Sequence, residues 1–126
     1  MIRKIAVYWL PPIALMIAIF LMSSRESIAV TEEFVKDFII FKSLHVAEYA
    51  LLTFLLFRAL INTTSLRLKD VLIISTLLAF LYGFTDEIHQ TFVPTRQGSV
   101  RDVLIDGIGI FGMIHFIRER TKKSVY

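Results

Sequence analysis

Asp86, Glu87, His89 and Gln90, followed by Arg96, form the densest cluster of chemically capable side chains in the chain. Two carboxylates and an imidazole can serve as general acids and bases. A guanidinium can grip a phosphate or carboxylate through two parallel hydrogen bonds. A second set lies upstream at Lys42, His45, Glu48 and Tyr49, where the i, i+3, i+4 spacing puts His45, Glu48 and Tyr49 on one helical face. A third lies downstream at Arg101, Asp102 and Asp106, with both aspartates sharing a face at i, i+4. The set supplies catalytic candidates in His45, Glu48, Asp86, Glu87 and His89. As a ligand site it offers Lys42, His45, Glu48, Tyr49, Asp86, Glu87, Gln90, Arg96, Asp102 and Asp106.

The elements that must carry these residues are apolar. The chain has 126 residues, 56% of them hydrophobic, with mean hydropathy +0.67. Residues 71–84 form an unbroken run without a charge, its hydroxyls limited to Ser75, Thr76 and Tyr82. At ~1.5 Å per residue the run covers roughly 21 Å, short of the ~30 Å hydrocarbon core, so a membrane helix here must continue into Asp86, Glu87 and His89. Four spans are predicted at about 5–22, 44–61, 71–92 and 100–117, in a single domain over 1–126. The fold class expected is all-α, an integral membrane four-helix bundle with a short amphipathic helix in the first outer loop. That helix would be N-capped by Thr31 with Glu32 and Glu33 at its positive end, and would lie on the membrane or run on into span two. Pro11-Pro12 predicts a kink near Leu10. Tyr8 and Trp9 suit either an interfacial belt or packing on a neighbour.

Lysine and arginine set the orientation. Nine fall at the two termini and the second connection, against five in the first and third loops. The positive-inside rule then gives a multi-pass cell-membrane protein with both termini cytoplasmic. The basic end Arg3-Lys4 and the Ser23-Ser24-Arg25 exit make a poor cleavable signal, because the apolar run is long and the exit is not small-x-small. There is no cysteine, which removes disulfides and thiolate chemistry. The cations cluster at span ends, so no nucleic-acid partner is expected.

By this topology the three polar sets converge on the outer side. Five carboxylates facing mid-membrane lipid would cost roughly 12–17 kcal/mol, about the whole of a typical folding stability. They are therefore expected to line one hydrated cavity, neutralised by Lys42, His45, His89, Arg96 and Arg101. Gly107, Gly109 and Gly112 would let span four approach its neighbours. Pro94-Thr95-Arg96-Gln97-Gly98 reads as a turn, with Gly98 able to take a positive φ. Arg96 would sit at the cavity mouth, holding an anion or pairing with Asp86, Glu87 or Asp102.

These residues together resemble the VanZ-like membrane protein family. The resemblance rests on Lys42…His45…Glu48-Tyr49, on Gly83-Phe84-Thr85-Asp86-Glu87-Ile88-His89-Gln90, on Arg96, and on Asp102…Asp106…Gly109. It implies a bacterial envelope protein and a context of resistance to the glycopeptide teicoplanin, without naming a reaction. The partner expected is a membrane lipid, a lipid-linked wall precursor or the lipidated antibiotic itself. The alternative is an intramembrane hydrolase or transferase acting on such a lipid, and a third reading is a bundle whose polar residues only fix helix register. His45, His89 and several carboxylates would allow a divalent metal under the enzyme reading, but no HExxH or comparable spacing occurs, so no metal and no cofactor is assigned. Oligomeric state is left open.

Overall fold

The computed structural model describes residues 2–25, 34–96 and 98–123. Four helices follow one another: α1 (Ile2–Ser23), α2 (Phe34–Thr63), α3 (Leu68–Gln90) and α4 (Val100–Lys123). The expected all-α four-helix bundle is what the chain forms. α2 is the central post and packs against the other three. α3 packs on α1, α2 and α4, whereas α1 and α4 share no interface among the described residues.

The helices meet along small residues. The buried face of α3 reads Val71, Ser75, Ala79 and Gly83 at four-residue spacing, then continues into Asp86, Glu87 and Gln90. Lipid tails are as apolar as leucine, so helices in a bilayer associate through close packing and hydrogen bonds, not through water exclusion. Gly109 of α4 makes the closest approach. A Cβ there would stand 2.1 Å from the Val46 carbonyl oxygen of α2, so only glycine fits. Gly107 lies against the Phe80 ring, and Gly112 has nothing within 4 Å of where its Cβ would be. The packing role foreseen for three glycines therefore belongs to two. Around this core, apolar residues such as Ile17, Leu77, Leu81, Leu104, Ile108 and Phe111 stay exposed.

α1 is continuous through Pro11 and Pro12, so the kink expected at Leu10 does not interrupt it. It is held at three heights. Trp9 Nε1 donates to Thr63 Oγ1 at 3.0 Å, the Tyr82 hydroxyl donates to the Met16 carbonyl, and Ser23 reaches α3. Tyr8 packs under the Arg58 guanidinium at 5.0 Å, so both aromatics engage α2.

Of the two arrangements expected for the first-loop helix, the structure shows the one that runs on into span two. Residues 34–41 are the opening turns of α2 itself, and Thr31, Glu32 and Glu33 lie outside the described residues. α2 therefore starts ten residues before the predicted span boundary of 44. Three helical stretches are long and apolar enough to cross a membrane: Ile2–Ser23, Phe38–Thr63 and Leu68–Gln90. α4, with 24 residues, is long enough at ~1.5 Å each but more polar, since Arg101, Asp102 and Asp106 open it and Arg118 to Lys123 close it.

Candidate functional site

The first turns of α2 and α4 and the last turns of α1 and α3 lie at one end of the bundle. Between α1, α2 and α3 they leave a cavity of about 270 Å³. Lys42, His45 and Glu48 of α2 line it along one face, joined by Gln90 of α3, Ser23 and Arg25 from the end of α1, and Arg96 from the α3–α4 turn. Met22, Phe41 and Leu44 supply its apolar wall.

Behind the cavity lies a buried acidic layer: Asp86, Glu87, Asp102 and Asp106 are each 2–7% exposed. Lys42 Nζ pairs with Asp102 Oδ2 at 2.6 Å, and His45 Nδ1 stands 3.6 Å from Asp106 Oδ1. Both pairs join α2 to α4, one helical turn apart on each. They follow from the register that Gly109 permits at Val46. Asp86 Oδ2 accepts from Ser23 Oγ and from Gln90 Nε2, each at 2.9 Å, which ties α1 to α3. Tyr49 is fully buried beneath His45, their rings near-parallel at 6.4 Å, with its edge against Gly83. Among the described residues, four buried polar atoms have no hydrogen-bond partner: Tyr49 Oη, Asp86 Oδ1, Asp102 Oδ1 and Asp106 Oδ2. Arg101 Nε approaches Asp102 Oδ1, but at 3.5 Å this is charge proximity and not a hydrogen bond. Such groups are rare in folded interiors, and an ordered water, an ion or a ligand can supply the missing partner.

Three residues of the set find partners other than those expected. Glu87 faces the α3–α4 turn and accepts the Ser99 backbone N–H at 2.9 Å. His89 points to α1, 2.9 Å from Ser24 Oγ, with its ring 4.4 Å from that of Phe20. Arg96 forms no ion pair with Asp86, Glu87 or Asp102. Its Nε donates to the Arg25 carbonyl at 2.7 Å and its second terminal nitrogen to the Met22 carbonyl at 3.3 Å. A cation at the negative end of the α1 dipole, on the Arg25 carbonyl and on a Met22 carbonyl that also takes the Arg25 N–H, is a C-terminal cap. The turn also departs from expectation. Its positive φ, 65°, falls on Thr95, and Gly98 is needed because a Cβ would come 2.0 Å from the Glu87 carbonyl oxygen.

With this geometry in view, the family comparison is decisive. The VanZ/LLP1 family profile matches residues 6–118. The chain belongs to the VanZ/LLP1 family. No curated protein and no solved structure matches it. The match runs from α1 to the penultimate turn of α4 and so takes in every residue of the cavity and of the acidic layer. With three helical stretches of spanning length, this makes the chain a VanZ-like membrane protein.

Within this VanZ-like bundle, sequence reasoning missed the contribution of α1. Ser23 and Ser24 read only as a poor cleavage site, yet they are the partners of Asp86 and His89. The available signal was their position: two hydroxyls ending an apolar span, at the end where the other helices turn polar. Among the described residues no group of three or more His, Asp or Glu side chains is arranged to hold a metal ion.

Proposed function

We propose that this VanZ/LLP1 protein is a multi-pass cell-envelope protein whose cavity binds the anionic headgroup of a lipid or lipid-linked wall precursor in the outer leaflet. The excess of lysine and arginine at the opposite end of the bundle supports that orientation, with both termini cytoplasmic. The observation that carries the reading is the pairing of a cationic rim, Lys42, Arg25 and Arg96, with an apolar wall in one small cavity. At about 270 Å³ it falls just below the ~300–1,000 Å³ of sites for drug-sized ligands. That size suits a phosphate-bearing headgroup better than a whole glycopeptide. A link to teicoplanin resistance would then run through the wall precursor and not through capture of the antibiotic.

Removing the Lys42–Asp102 pair as a pair tests this while limiting unpaired charge. Purified protein in neutral-lipid nanodiscs is titrated with a polyprenyl diphosphate. K42Q/D102N is expected to weaken binding at least tenfold with its helical content by circular dichroism unchanged; equal binding by the two proteins would sink the reading. In cells where the intact protein lowers teicoplanin susceptibility, the same variant should lose that effect at equal membrane expression.

One observation favours the hydrolase or transferase alternative. His45 lines the cavity while its Nδ1 faces the Asp106 carboxylate, the way an orienting acid holds a general base. Under that reading H45Q keeps binding the polyprenyl diphosphate but releases no phosphate or headgroup from it. Absence of any product with the unmodified protein would remove this alternative.

A further inference from the structure

At the end opposite the cavity, α3 and α4 part and leave a second groove of about 550 Å³. Its floor and walls are aliphatic, from Leu68, Leu72, Ile73, Leu77 and Ile114. From Leu68 to Leu77 it follows α3 for ~14 Å at 1.5 Å per residue. Thr76 and Thr121 also line it, but both hydroxyls are turned onto carbonyls of their own helices, to Leu72 at 2.7 Å and Ile117 at 2.9 Å. The groove interior therefore presents little but hydrocarbon.

Its end is cationic. Lys69 from the first turn of α3 and Arg118 and Lys122 from the last turns of α4 border it together. The acids nearby are already committed. Asp70 takes two hydrogen bonds from Arg67, at 2.8 and 3.3 Å, and Glu119 takes Lys122 at 3.0 Å. Among the described residues, the side chains of Lys69 and Arg118 have neither an ion pair nor a hydrogen bond. An apolar trough ending in two uncommitted cations, beside the positive end of the α3 dipole, complements one class of molecule: a hydrocarbon chain ending in a phosphate.

We infer that this groove is a binding site for an anionic glycerophospholipid of the leaflet at that end, its acyl chain along Leu68–Leu77 and its phosphate held by Lys69 and Arg118. The site is separate from the polar cavity, with no residue in common. A zwitterionic lipid carries its own cation beside the phosphate and gains less there. The expected selectivity is for phosphatidylglycerol over phosphatidylcholine.

The test is native mass spectrometry of the detergent-purified protein titrated with each lipid. The unmodified protein should retain one phosphatidylglycerol at least tenfold more tightly than phosphatidylcholine. K69Q/R118Q should lose that preference, and so should T76F, which fills the trough and leaves both cations in place. The K42Q/D102N variant should keep it, so failure here and failure of the headgroup reading of the cavity are separable. The inference is overturned if both lipids bind equally, if K69Q/R118Q keeps the preference, if only K42Q/D102N loses it, or if the groove proves closed by a second copy in a lipid-free dimer. Circular dichroism of each variant confirms that the helices persist; if T76F is misfolded, K69Q/R118Q decides alone.

Discussion

At the cavity end of the bundle, Asp86, Glu87, Asp102 and Asp106 are buried and their partners come from other helices or from a distant turn. At the groove end, the acids Asp70 and Glu119 are open to solvent at least in part and pair with Arg67 and Lys122 three residues away along the chain. The contrast is one of dielectric. Exposed pairs of the second kind contribute little, because water screens them and the side chains lose freedom in pairing. Charges drawn inward are costly unless the whole arrangement holds them, and removing one partner leaves the other stranded. The cavity end is thus the end at which polar residues constrain how helices meet, and the groove end is where helices can part.

The steepest test of this contrast is at the hinge between the two ends. Gly109→Ala places a methyl against the Val46 carbonyl and forces α2 and α4 apart, taking with it the Lys42–Asp102 and His45–Asp106 pairs. A loss of about 3 kcal/mol is expected. It is measured as reversible denaturation in mixed micelles, and a loss below ~1 kcal/mol would break the comparison.

Next comes Lys42→Met, which leaves Asp102 buried with only the exposed Arg101 nearby. The cost should be about 2–3 kcal/mol, less than for a fully enclosed pair because Lys42 is partly solvated. Adding Asp102→Asn should restore part of it, with a coupling of at least ~1 kcal/mol in a double-mutant cycle. Additive costs would mean the pair is no more than a surface contact.

Arg96→Gln is smaller and local. Losing two bonds to the carbonyls of Met22 and Arg25 should cost about 1 kcal/mol. It should appear as roughly tenfold faster amide hydrogen exchange around Ser24 and Arg25, with α2 and α4 unaffected. Uniform acceleration across the bundle would assign Arg96 a wider role.

Gly112→Ala should gain ~0.5–1 kcal/mol, since the helix prefers alanine and no neighbour stands within 4 Å. Destabilisation there would show that a partner covers this face. At the groove end K69Q/R118Q should stay within ~0.5 kcal/mol in lipid-free micelles, because neither side chain supports the fold.

The sequence makes the helices legible and their meeting points much less so. Apolar runs locate all four elements, and i, i+4 spacing groups Asp102 with Asp106 and His45 with Tyr49 correctly. A helix over residues 34–41 is legible, but whether it stops or runs on into span two is not, because amphipathic periodicity is the same in both cases. The pairing of Lys42 with Asp102, and of His45 with Asp106, depends on which turn of α2 faces which turn of α4. Gly109 sets that register, yet in sequence Gly109 and Gly112 look alike. Arg96 eludes prediction for another reason: its acceptors are backbone carbonyls, which every residue carries and no sequence marks. Ser23 and Ser24 are short and polar, and only the proximity of α3 gives them a role.

The hydrogen bond from Trp9 to Thr63 joins α1 to the far end of α2. The chain has a single tryptophan, so every photon of indole emission comes from that junction. A Thr63→Val substitution frees the indole N–H without altering side-chain volume much. The emission maximum and anisotropy of the unlabelled protein then become a direct optical gauge of whether the first helix is seated.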